Sequence, residues 1–123
     1  MEVILDSSFI ISCIKKNIDF VSQLEEQGFK ILLAHEILDE LKDLRKSNRV
    51  SHDDRVSIDL ALEMFSNKKF KKTKLGHYSV DDGLIKRGKE GIYIASLDKV
   101  IKREVPNKVV IFDSTKSVGV VRD

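Results

Sequence analysis

Four short runs in this chain are apolar almost from end to end, with none of the polar alternation that a sheet facing water would impose. They fall at residues 3–5, 30–34, 92–95 and 109–112. Strands of this kind are covered on both faces. The longer stretches between them carry apolar residues at helical spacing, and such alternation predicts βαβ units around a parallel sheet. The expected class is therefore α/β, a three-layer α/β/α sandwich with a central, mainly parallel sheet. A last short strand is read at 118–121. Helices are expected at 8–16, at 18–27 with Gly28 as a left-handed cap, at 36–46, and at 53–66, where Val56, Leu60 and Met64 stand at i,i+4 spacing. Two more are expected at 81–87, ending at Gly88, and at 99–104, stopped by Pro106. The dense lysine run at 68–74 reads as an exposed loop.

A chain of 123 residues that is 41% hydrophobic can build one core, so residues 1–123 are read as one domain. The 22 basic and 20 acidic side chains nearly cancel, and net charge alone selects no partner. Cys13 has no second cysteine to pair with, and no basic, apolar leader opens the sequence, which together point to a reducing, cytoplasmic setting. No apolar run approaches the ~20 residues that cross a bilayer. No membrane association is expected.

In an open parallel sheet, ligands gather at the carboxyl ends of the strands, so an acid directly after a strand is a candidate. Asp6 closes the run Val3-Ile4-Leu5, and Asp98 follows the 92–97 stretch. Each also suits the N-cap of the next helix. At about 100° per residue, Ile37, Leu38, Leu41 and Leu44 form one apolar arc of the 36–46 helix. Glu40 lies at the edge of that arc, Glu36 and Asp43 lie further round, and Asp39 points nearly opposite. Glu40 is thus the acid best placed to reach over the sheet, although a surface pair with Arg45 or Lys46 would also use it. The pair Asp81-Asp82 opens a helix, where the macrodipole accounts for one acid more readily than for two.

Converging carboxylates suit hard cations such as Mg²⁺ or Mn²⁺, and Mg²⁺ binds through a few carboxylates, waters and substrate phosphates. The matching chemistry is metal-assisted phosphodiester hydrolysis. Carboxylates held this close should raise at least one of their pKa values.

These residues also fall into a family pattern. Val3-Ile4-Leu5-Asp6-Ser7-Ser8 resembles the opening of PIN-domain nucleases, and Ile37-Leu38-Asp39-Glu40-Leu41 resembles their helical Glu-Leu motif. Asp82-Gly83-Leu84-Ile85 is similar to their Asp-x-x-Ile segment. Ile94-Ala95-Ser96-Leu97-Asp98, with Lys99 to Arg103 after it, is similar to the run found in the archaeal and ribosome-biogenesis branches. Ser8 stands where Asn is common and Ser96 where Thr is. The resemblance implies a metal-dependent ribonuclease acting on single-stranded RNA, with Asp6, Glu40, Asp82 and Asp98 as metal-binding and catalytic acids and Ser96 as a supporting hydroxyl. Asp81 remains exchangeable with Asp82. Mg²⁺ or Mn²⁺ is the implied cofactor. Besides RNA, the implied partners are an antitoxin, a ribosome-assembly protein or a second copy of the chain. The rival reading is an inactive PIN-fold factor that binds RNA or protein without cutting.

A nearly neutral nuclease must bring cations to its rim. Lys86 and Arg87 follow Asp82, and Lys102 and Arg103 follow Asp98, so these four are the expected RNA contacts, ahead of the 68–74 run. The Gly83 to Lys89 stretch has the spacing of a phosphate-binding loop but lacks its Ser/Thr and preceding strand. His35, His52 and His77 lack zinc spacing. A receiver-like signalling domain would need an acidic pair after the first strand, where serines stand. Phe9, Phe20, Phe29, Phe65 and Phe112 are expected in the core.

Overall fold

The computed structural model describes residues 1–66 and 69–121. The elements run β1 (Glu2–Leu5), α1 (Ser7–Lys15), α2 (Phe20–Glu26), β2 (Lys30–Ala34), α3 (His35–Lys46), α4 (His52–Phe65) and β3 (Lys71–Thr73). They continue with α5 (Val80–Lys89), β4 (Tyr93–Ala95), α6 (Lys99–Glu104), β5 (Lys108–Phe112), a 3₁₀ turn (Asp113–Thr115) and β6 (Ser117–Val120). One six-stranded sheet is ordered β3-β2-β1-β4-β5-β6, parallel throughout except for the antiparallel β5–β6 pair. The expected α/β class and its mainly parallel sheet are found.

Right-handed crossovers put the helices that follow β1 and β2 on one face and α5 and α6 on the other. Accordingly α1, α3 and α4 pack on one another, and α5 packs on α6. The central strand is buried on both faces, with Val3, Ile4 and Leu5 all at or below 1% exposure. An edge-to-face chain of rings, Phe9–Phe20–Phe65–Phe70, locks α1, α2 and α4 together. Among the described residues no helix is long and apolar enough to cross a membrane.

Three expectations need correction. The lysine run is not simply a loop, because Lys71–Thr73 forms edge strand β3 beside β2; Lys68 lies outside the described residues. An edge strand carries charge readily, since one side of it faces water. The helix expected at 53–66 is found as α4, although the Val56–Leu60–Met64 spacing that marked it lies on the outer side, 43%, 49% and 37% exposed, while Ser57, Ile58, Ala61 and Phe65 form the buried face. Phe112 is 42% exposed, at the end of β5 with its ring edge against Gly119. Finally, α5 runs through Gly88, and the left-handed turn after it comes at Gly91, with φ +105°.

Gly88 has a packing reason instead. A Cβ there would stand 2.5 Å from Val105 Cγ1 and 3.1 Å from Ile94 Cγ1, so the bare backbone is what lets α5 sit against β4 and the end of α6. Gly88→Ala should lower stability by about 1–3 kcal/mol through overpacking, read as a lower urea midpoint at unchanged slope. Adding Val105→Ala removes the nearest of these clashes, so the double variant should lose less than the sum of the two single losses.

Candidate active site at the strand crossing point

From β1 the chain moves one way, to β2 and then β3, and afterwards returns across the sheet to continue with β4 and β5 on the other side of β1. The crevice at the carboxyl ends of β1 and β4 is therefore the topological switch point, where open α/β sheets take their ligands. Asp6 closes β1 there, and its backbone N–H donates to Ala95 O of β4 at 2.8 Å. Ser96 and Asp98 follow β4 directly.

Asp6 is 6% exposed and its carboxylate is held from three sides. Ser7 N donates to Oδ1 at 2.9 Å, and the hydroxyls of Ser96 and Ser8 donate to Oδ2 at 2.7 and 3.3 Å. The Ser96 oxygen in turn accepts the N–H of Asp98 at 3.0 Å, and the Ser8 oxygen accepts that of Leu97 at 3.3 Å. Two hydroxyls thus stitch the end of β4 to the carboxylate at the end of β1. Asp98 also caps α6, its Oδ1 accepting from Val100 N at 2.8 Å and Ile101 N at 3.2 Å.

Glu40 arrives from α3. That helix buries Ile37 and Leu41 and keeps Glu40 half-buried at the margin, as the helical period anticipates. The buried Ser7 hydroxyl donates to Glu40 Oε1. Burial raises the Asp6 pKa above its ordinary value; the Ser96 hydrogen bond opposes this, and the charge of Glu40 adds to the rise. The anticipated mutual repulsion of carboxylates is thus present between these two, second to burial in its effect.

Asp82 and Asp81 both stand exposed in the first turn of α5, capped by Ser79, and no hydrogen bond joins either to Asp6, Glu40 or Asp98. Among the described residues no three His, Cys, Asp or Glu side chains form a ready set of metal ligands. Of the expected cations, Lys86 and Arg103 are exposed and Lys102 is half-buried. Arg87 is committed elsewhere: its guanidinium donates to Lys74 O at 2.9 Å and pairs with Glu90 at 3.6 Å, bracing α5 against the end of β3.

Beside Glu40 lies an open groove of about 410 Å³ lined by Glu36, Asp39, Glu40, Asp43, Leu44, Ser47 and Val80. Glu36, one turn before Glu40, accepts the backbone N–H groups of Leu75 at 3.0 Å and Gly76 at 2.9 Å, clamping the 75–79 loop to α3. Burial opposes ionisation of Glu36, but the N–H groups of Gly76 and Leu75 more than offset it, and its pKa is lowered. Sequence reasoning missed Ser7 and Glu36 as positioning groups. The only available signal for Ser7 was its place directly after Asp6; none marked Glu36, whose partners are backbone amides 39 and 40 residues away.

Compared with known proteins, the chain matches no family model and no curated protein sequence.

The two shifted carboxyls act oppositely on stability. Asp6, raised from an ordinary value of 3.8, disfavours folding while ionised; this cost is present at neutral pH and vanishes as pH falls through the raised folded pKa toward 3.8. Asp6→Asn should therefore raise the thermal midpoint at pH 7, with the gain shrinking in acid. Glu36, lowered from 4.5, contributes stability above that value that is lost as pH falls through its folded pKa. Glu36→Gln should speed hydrogen exchange at the Leu75 and Gly76 amides at pH 7, and the difference from wild type should close in acid.

Proposed function

We propose that the protein is a metal-dependent endoribonuclease of the PIN-domain type, hydrolysing phosphodiester bonds of single-stranded RNA with Mg²⁺ or Mn²⁺. The observation that carries the proposal is the meeting of Asp6 with Ser96 and the Asp98 backbone at the crossing point, and with Glu40 through Ser7. Ser7 and Ser8 of α1 and Ser96 just beyond β4 all donate to the Asp6 carboxylate, and Glu40 of α3 reaches it through the Ser7 hydroxyl, at the place where such sheets bind ligands.

The donor set fits a hard cation. It consists of carboxylate oxygens, and Mg²⁺ needs only one or two of them beside substrate phosphates and water. Glu40 is close enough to raise the Asp6 pKa, so one positive charge between them would relieve repulsion and burial together. The hydrogen bonds to Asp98 fall on Oδ1, which leaves Oδ2 as a donor. Asp6 and Glu40 would hold the ion, Asp98 would join through Oδ2, and Asp82, or Asp81 beside it, would approach from α5. When bound, such an ion lowers the pKa of a water and neutralises charge on the phosphate.

The chain's own groups do the rest. Ser96 fixes Asp6 Oδ2, and Ser7 fixes Glu40 Oε1, so both carboxylates would be held in place to receive the ion and its water. Lys86, Lys102 and Arg103 would bind phosphates around the rim. A binding-only PIN-fold factor, engaging RNA, an antitoxin or a ribosome-assembly protein, is the second reading. It is favoured by the use of Asp98 as a helix cap and the distance of Asp82 from any hydrogen bond to the other acids.

In a Mn²⁺ cleavage assay on single-stranded RNA, Asp6→Asn and Glu40→Gln should each lower the rate by more than about 100-fold, and Ser96→Ala, which removes a supporting hydrogen bond, by about 10–100-fold. Circular dichroism should show all three folded. Unimpaired cleavage by folded Asp6→Asn would overturn the proposal, and a wild type that binds RNA yet cuts it with neither ion would establish the second reading.

A further inference from the structure

Tyr78 is fully exposed, at 108% of the reference surface, in the loop between β3 and α5. The other aromatic rings of the described residues behave differently: Phe9, Phe20, Phe29, Phe65 and Phe70 are buried, Tyr93 stacks edge-on against Phe29, and Phe112 is partly covered. An aromatic ring costs apolar hydration when it is left wholly in water, so its position is the question.

That position is well defined. Glu36 holds the N–H groups of Leu75 and Gly76, Gly76 takes the left-handed conformation at φ +71°, and Ser79 caps α5. Tyr78 therefore projects from a short loop tied at both ends. Its second neighbour, Val80, lines the same groove as Glu36 and Glu40, and Glu40 accepts the hydroxyl of Ser7, whose N–H donates to the Asp6 carboxylate. The loop that carries the ring is thus tied at Gly76 and Val80 to the groove whose Glu40 bonds Ser7, beside the buried carboxylate.

Charge decides what can bind along that path. The α3 wall presents Glu36, Asp39, Glu40 and Asp43, which repel phosphate. The strand and turn that lead into the Tyr78 loop carry exposed Lys71, Lys72 and Lys74. A single strand can place its phosphates toward these lysines only if its bases turn inward, and a neutral π face is then the group that can hold a base beside an acidic wall. Stacking on an aromatic ring is tolerant of base identity, because every base has a π face.

We propose that Tyr78 is a base-stacking subsite for single-stranded RNA, holding one nucleobase at the mouth of the groove that leads to Asp6. The proposal rests on the reading of the groove as an RNA site, and is tested without metal so that binding is separated from cleavage. The chain contains no tryptophan, so Tyr78→Trp carries a sole indole reporter. The probe is a single-stranded oligoadenylate of roughly ten nucleotides, in EDTA, beside its duplex with oligouridylate. Stacking predicts that Tyr78→Ala weakens single-strand binding by about 5- to 100-fold, that Tyr78→Phe stays within about 2-fold of wild type, and that the indole of Tyr78→Trp is quenched by the single strand but not by the duplex. Because the side chain is fully exposed, none of these variants should alter the thermal midpoint appreciably. Unchanged affinity in Tyr78→Ala, or an unquenched indole at saturation, overturns the subsite while leaving the nuclease proposal standing. Quenching without any Mn²⁺-dependent cleavage does the reverse. A wild type that binds no RNA in EDTA overturns the subsite, and one that in addition neither binds nor cuts RNA with Mn²⁺ overturns both.

Discussion

A carboxylate taken out of water at the centre of a parallel sheet is the constraint around which this molecule is arranged. Asp6 cannot be left bare at 6% exposure, since an uncompensated buried charge costs far more than a domain can spare. Its compensation comes from Ser7, Ser8 and Ser96, and two of these hydroxyls simultaneously take up N–H groups just beyond β4. The bonds that make the buried charge tolerable are therefore the same bonds that register the end of β4 against β1. A hydroxyl suits this duty because it donates to the carboxylate and accepts from an amide at once. Burial still prevails over these hydrogen bonds, and the carboxyl remains harder to ionise than usual.

The helices inherit their positions from that arrangement. α1 starts directly on Asp6, so Ser7 is placed by the cap itself, and its hydroxyl reaches Glu40 on α3. α3 in turn is set by Ile37 and Leu41 in the core, and carries Glu36 one turn away to hold the 75–79 loop. One amphipathic helix thus places one acid toward the crossing point and another on backbone amides. The two differ in consequence: Glu36 gains from ionisation and Asp6 is penalised by it. Rigidity belongs to the loop clamp, and electrostatic tension to the crossing point.

Much of this was legible from residue order. All-apolar runs marked β1, β2, β4 and β5 because strands covered on both faces leave no polar alternation, and Asp6 and Asp98 were readable because strand ends and helix caps coincide in βαβ units. Glu40 followed from the helical period once Ile37 and Leu41 were assigned to the core. The failures share a cause: local pattern does not encode what lies opposite. Lys71–Thr73 has the composition of a loop and becomes a strand only because β2 offers an unpaired edge. Val56, Leu60 and Met64 form a better apolar stripe than Ser57, Ile58, Ala61 and Phe65, yet α4 turns the latter inward, where small residues permit close approach to its neighbours. Gly88 reads as a stop signal and is in fact a contact surface for Val105. Arg87 reads as a phosphate ligand by its place after Asp82, but it is held by Glu90 at the end of its own helix and by the Lys74 carbonyl just after β3, remote in sequence and adjacent in space.

The electrostatics of the groove bear on how any polyanion could approach it. Along α3 the wall is acidic, and the near-neutral whole molecule supplies no long-range attraction to overcome it. Compensation has to be local and of two kinds: positive charge at the crossing point, where Asp6 and Glu40 repel each other, and cationic side chains outside the groove on β3, α5 and α6. Exposed cations at such a rim are screened within about 10 Å at 0.1 M salt, so they orient a strand more than they hold it. A base held by its flat face is insensitive to that screening. On the proposed reading, an acidic groove with an exposed ring beside it would discriminate by strandedness: a duplex keeps its bases stacked on each other and offers this surface only phosphate, which the α3 wall repels.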